Sequence, residues 1–149
     1  MKYRLIILAP IACFLASACT SEESATAEAD SISEDTAAYS GISADEAVTL
    51  VGTEPFWGAE ITGEDLRWTT PENIEGVTIQ VARFAGNNGL GYSGELEGEA
   101  MQIAVTPGEC SDGMSDRTYP FTATITIGDR QLTGCGYTDV QKYSGEETP

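Results

Sequence analysis

Beyond Leu50 the chain alternates between apolar and polar residues. Val77, Ile79 and Val81 fall on one face while Thr78, Gln80 and Ala82 fall on the other. The same period of two runs through Leu90, Tyr92 and Leu96, through Met101, Ile103 and Val105, and through Phe121, Ala123, Ile125 and Ile127, where Thr122, Thr124 and Thr126 mark the solvent face. Alternation over this many segments predicts antiparallel strands with one buried face. Thr62-Gly63-Glu64-Asp65, Gly86-Asn87-Asn88-Gly89, Glu97-Gly98-Glu99 and Gly128-Asp129-Arg130 read as hairpin turns between them. Strands this short, joined this tightly, predict an all-β antiparallel meander with no helix of useful length. A meander must hide its edge strands, by closing as a small β-barrel or by folding into a compact sandwich, and the barrel is the expectation. Trp57, Ala59, Ile61, Leu66 and Trp68 are then expected to fill the inner face of its first hairpin.

The pattern before this domain is different. Lys2 and Arg4 precede an apolar run from Leu5 to Leu15, long enough for the core of an export signal but shorter than the roughly 20 residues of a membrane-spanning helix. Residues 1–18 are therefore read as a signal peptide. From 19 to 49 the chain is Ser, Thr, Ala and acid, with eight carboxylates and no basic residue. Such a composition predicts a flexible acidic tether. Ser43-Ala44-Asp45-Glu46 has the spacing to cap a short helical turn leading into Val48 and Leu50. The β domain is placed at 50–143, and residues 144–149 are read as a frayed tail.

Four cysteines sharpen the picture. Small residues, Ala16-Ser17-Ala18, stand just before Cys19. This resembles the lipobox of bacterial lipoproteins, in which Cys19 would be lipidated and become the mature N-terminus; an ordinary A-x-A cleavage site leaving a plain thiol is the other reading. Lipidation implies anchoring by two or three acyl chains, and Thr20 after the cysteine implies the outer membrane, with the domain facing the periplasm. Cys13 leaves with the signal, so Cys110 and Cys135 remain. In an oxidising compartment two cysteines pair, and the absence of CxxC spacing argues for a structural disulfide over a redox-active one.

Charge and composition narrow the chemistry. The chain has 24 Asp plus Glu, 7 Lys plus Arg and no histidine, for a net charge of −17. Without histidine there is no Ser-His-Asp or Cys-His group and no HExxH zinc site. The acidic balance argues against binding nucleic-acid phosphates. Once Lys2 and Arg4 leave with the signal, 5 basic residues face 24 acids, a charge of −19, of which −8 lies in the tether and −11 beyond it. No cofactor and no metal are expected: Asp112-Gly113-Met114-Ser115-Asp116 lacks the run and the distal Glu of an EF-hand. Paired carboxylates of the kind that glycosidases use do not stand out, so no enzyme and no catalytic residue is assigned.

Two stretches carry a family signature. Gly52-Thr53-Glu54-Pro55-Phe56-Trp57-Gly58 with Thr70-Pro71-Glu72-Asn73, and Cys110-Ser111-Asp112-Gly113-Met114-Ser115-Asp116-Arg117 with Tyr119-Pro120-Phe121 and Leu132-Thr133-Gly134-Cys135-Gly136, resemble those of a family of uncharacterised bacterial envelope lipoproteins with a GTEPFW motif. The resemblance runs from about residue 52 to 136. A looser resemblance, in size and layout, connects the chain to META-like domains and to membrane-bound inhibitors of C-type lysozyme, which are small disulfide-bonded β-barrels. Those inhibitors place a loop with Ser and basic residues in the enzyme's cleft, and Ser115-Asp116-Arg117-Thr118-Tyr119 is the distant counterpart here.

The residues themselves point to two surfaces. In the first motif Pro55 is read as shaping entry into an edge strand and Trp57 as a core contact, while Phe56, opposite Trp57, offers with Glu54 and Glu60 an aromatic-acidic patch. The polar segment 107–117 reads as a long loop pinned at Cys110, either locked internally by Arg117 on Asp112 or Asp116, or held rigid as a recognition surface. The expected partner-binding residues are Glu54, Phe56, Asp112, Met114, Ser115, Asp116, Arg117 and Tyr119. The expected protein is a lipid-anchored, monomeric, non-enzymatic binding or envelope-maintenance module. The alternative is an inhibitor of lysozyme-type peptidoglycan hydrolases, in which an acidic surface meets a cationic enzyme.

Overall fold

The computed structural model describes residues 37–146. The signal segment, Cys19 and the first part of the tether lie outside the described residues. Eight strands follow in chain order: β1 (Val48–Thr53), β2 (Phe56–Thr62), β3 (Asp65–Thr70), β4 (Asn73–Ala85), β5 (Leu90–Leu96), β6 (Glu99–Ser111), β7 (Thr118–Ile127) and β8 (Arg130–Thr138). Each pairs antiparallel with the next, and β8 pairs back onto β1 through Val48 opposite Thr138 and Val51 opposite Cys135, closing a barrel. The four expected hairpin turns fall between β2 and β3, β4 and β5, β5 and β6, and β7 and β8. Closure removes every edge, so Pro55 stands in the β1–β2 turn, after a cis Glu54–Pro55 bond, and not on an edge strand.

The interior follows the alternation. Leu50, Leu66, Val105, Phe121 and Ile125 are each 2% exposed or less, and together with the expected Trp57, Ala59, Ile61 and Trp68 they form one core. Trp57 and Trp68 stack inside it with ring centroids 5.3 Å apart and planes 14° from parallel. Gly52, directly across from Trp57 in the ladder, makes this possible, because any Cβ there would stand 2.0 Å from the indole nitrogen.

The domain begins before residue 50. Tyr39 donates its N–H to Gly86 O, Arg83 donates to Ile42 O, and Ile42 is buried in the core. Ser43 and Glu46 do meet, with the Ser43 N–H on the Glu46 carboxylate at 2.9 Å, but the turn leads straight into β1 and no helix follows. The Thr138 hydroxyl, 2.6 Å away, and the Ser43 N–H hold that carboxylate below its usual pKa. One buried isoleucine and a clasp to β8 thus draw residues 39–47 onto the end of the barrel, where an acidic spacer was expected. The other boundary moves too. Ser144 exchanges two backbone hydrogen bonds with Thr118, so the tail is held at least to that residue.

Candidate functional site

The segment expected as a loop from 107 to 117 divides. Residues 107–111 finish β6, and 112–117 alone connect it to β7. The disulfide explains how this end of β6 departs from the barrel wall. Cys110 bonds to Cys135 with their Cα atoms 5.5 Å apart, yet β7 lies between β6 and β8. Strands two apart in a sheet are separated by roughly 9.5 Å. The end of β6 is therefore drawn toward β8, and the ladder shows where it bends: Pro107 faces Phe121 but Cys110 faces Tyr119, three steps against two. This bulge bends the 13-residue strand, and its end, still paired with β7 through Cys110–Tyr119 and Ser111–Thr118, forms an arm. Cys135 is 1% exposed beneath it.

The arm brings the connecting loop against the outer face of β1, where Asp112 borders Val51 and Thr53. Asp112 organises the loop. Its carboxylate accepts the N–H groups of Met114 and Ser115 at 3.0 and 2.9 Å, the Ser115 hydroxyl at 2.8 Å and the Tyr119 hydroxyl at 3.1 Å. Partial burial alone would raise the Asp112 pKa, but these donors, the Ser115 and Met114 amides foremost, outweigh it and lower the carboxyl to about 2. Burial raises the Tyr119 hydroxyl above its ordinary pKa, so it stays a donor. The Arg117 guanidinium lies 4.3 Å from the Tyr143 ring centroid. Tyr119, Tyr137 and Tyr143 form an aromatic cluster apart from the barrel core, with centroids 5.1 to 6.1 Å apart.

Between this loop and the outer faces of β1, β2 and β3 runs a cleft of about 510 Å³. Phe56, Ile74 and Met114 all open onto it; they are 52%, 75% and 60% exposed, and they are three of the five large hydrophobic side chains left exposed among the described residues. Arg67 lines it as well, held by Glu60 at 2.9 Å and by the Glu75 carbonyl at 3.3 Å. Of the residues expected to bind a partner, Phe56, Asp112, Met114 and Tyr119 meet in this cleft. Ser115 stands behind it, its hydroxyl engaged by Asp112 and by the Arg117 N–H. Glu54, Asp116 and Arg117 do not line it. Glu60, expected with Glu54 to make an aromatic-acidic patch around Phe56, pairs with Arg67 on that face.

A scan against protein-family models finds no match, and searches of the curated proteins and of the solved structures find none either. The site is read on its own geometry.

Ile74 and Arg67 were not anticipated. Ile74 does carry a signal, because it is out of phase with Val77 and Ile79 on the same strand, as expected of an apolar residue facing outward. Among the described residues no group of three or more His, Cys, Asp or Glu side chains is placed to hold a metal, and the one buried polar residue is Thr138.

Proposed function

We propose that this protein is a lipid-anchored envelope module, facing the periplasm, that binds a partner through the outer cleft without transforming it. The observation that carries this reading is the convergence of Phe56, Ile74 and Met114 on one cleft, beside a loop braced by a disulfide and by a fully engaged carboxylate. Contiguous exposed apolar side chains mark interaction surfaces, and a braced loop loses little entropy on binding. From residue 50 onward the chain has 16 acids against 5 basic residues, so the partner is a protein that presents an apolar side chain within a basic rim. Inhibition of a lysozyme-type hydrolase fits that charge. The Ser115 hydroxyl and the Arg117 guanidinium, however, are engaged within the domain, which leaves charge as the support for that alternative.

Photo-crosslinking in intact cells tests the reading. A crosslinker at Phe56, Ile74 or Met114 is expected to capture the same protein, while one at Phe84 or Val140, exposed apolar positions outside the cleft, captures none. Equal capture from all five positions, or none from the first three, contradicts it. Unchanged C-type and g-type lysozyme rates at stoichiometric excess in low salt remove the inhibitor alternative. Replacement of Cys19 by Ser is expected to release the protein from the membrane fraction.

A further inference from the structure

The turns between β1 and β2, β3 and β4, β5 and β6, and β7 and β8 alternate with the other three, so they gather at one end of the barrel. Residues from the first three of these turns, with Ile127 and Arg130 flanking the fourth, line a second cavity, again of about 510 Å³. Its apolar part is the stacked Trp57–Trp68 pair with Val77, Leu96, Ile127 and Leu132. A volume of this order, lined by aromatic and aliphatic groups in the mouth of a barrel, suits a small molecule. Its rim carries Glu72, Glu97 and Asn73. Arg130 is the basic residue of the lining, and its guanidinium is already drawn 3.1 Å from Glu99. The mouth is thus apolar and aromatic within, and negative at its edge.

We infer that the barrel mouth is a second binding site, for a small amphipathic cation whose apolar body seats against the tryptophan pair and whose amine or quaternary ammonium head lies between Glu72 and Glu97. The indole edges and the aliphatic wall offer the apolar body a dry contact surface, and the two rim carboxylates attract the head. An anionic amphiphile of the same length meets the same apolar wall but the wrong charge at the rim. Charge at the rim, not hydrophobicity, then sets the selectivity. The mouth and the outer cleft share Phe56, Trp57, Thr70 and Pro71, whereas Glu72 and Glu97 border the mouth alone.

The chain's two tryptophans both lie here, so indole fluorescence reports directly on the site. The probes are decyltrimethylammonium and decyl sulfate, titrated below their micelle concentrations into the full chain with its disulfide formed. The cation is expected to give a saturable one-to-one change and to bind at least about tenfold tighter than the sulfate, the scale of two screened charge contacts. In the Glu72→Lys, Glu97→Lys double variant, which alters exposed rim residues only, the cation should weaken by about tenfold and the sulfate tighten. Val77→Phe, which fills the cavity, should abolish both responses while near-ultraviolet dichroism remains. If that variant fails to fold, the charge-reversed one still decides. No saturable change with the cation, equal affinity for the two probes, or a cation affinity indifferent to the rim charges overturns the inference.

Discussion

Phe121 and Phe56 belong to the same barrel and meet opposite fates. Phe121 is 2% exposed and packs in the interior; Phe56 is 52% exposed and opens onto the outer cleft. The inner residue answers to a rule repeated along every strand. Alternation, closure of β8 onto β1 and the Gly52 opening under Trp57 all follow from fitting large side chains inside a cylinder. The outer residue faces out by the same alternation, but the cleft it borders depends on a local event, the bend of the β6 arm that brings Cys110 to Cys135. One region is over-determined, and the other leans on one disulfide and one carboxylate. The barrel is therefore expected to survive changes that erase the cleft.

The largest effect should come from the interior. Phe121→Ala is expected to cost about 3–5 kcal/mol in denaturant unfolding, whereas Phe56→Ala should stay within about 0.5 kcal/mol and act on binding. A similar cost at both positions would break the comparison. Next comes the staple. Replacing Cys110 and Cys135 by Ser removes a closure of 25 residues, worth about 3.5 kcal/mol in the chain-entropy account. Thermal unfolding of the double variant measures that cost, and its near-ultraviolet dichroism should still report a packed barrel.

The loop itself is a smaller and pH-dependent contribution. The folded Asp112 carboxyl lies at about 2, below its unfolded value, so its contribution is present above the unfolded pKa and fades as pH falls toward 2. Amide exchange at Met114 and Ser115 should accelerate over that acid range. In Asp112→Asn the acceleration should already be present at neutral pH, with a cost of about 1 kcal/mol. Least of all, Arg67→Ala should change global stability by under about 1 kcal/mol, because the pair with Glu60 is solvent-exposed. Its effect should appear in partner affinity.

How far each region can be read from the chain follows the same division. The barrel, its hairpin turns, the inward Trp57 and Trp68, and the Cys110–Cys135 bond are all foreshadowed by period two, turn chemistry and cysteine arithmetic. The near end of the spacer is not, because Ile42 is a single apolar residue among acids and its burial depends on long-range bonds to Arg83 and Gln141. The cleft is half legible. Phe56 and Met114 stand out as apolar residues in exposed motifs, but nothing local says that Ile74 of β4 lies beside them. Only the fold brings β1, β2, β3 and the arm together. The stacking of Tyr143 on Arg117 has no local signal either, since the two stand 26 positions apart.

The central claim is that the disulfide builds the cleft while the barrel stands without it. Hydrogen exchange of the oxidised and the reduced protein, compared amide by amide, tests this directly. The account predicts faster exchange on reduction confined to residues 107–119 and the facing amides of β1, with the ladders of β3, β4 and β5 unchanged. Faster exchange spread evenly over all eight strands, or an arm that stays protected when reduced, would contradict it.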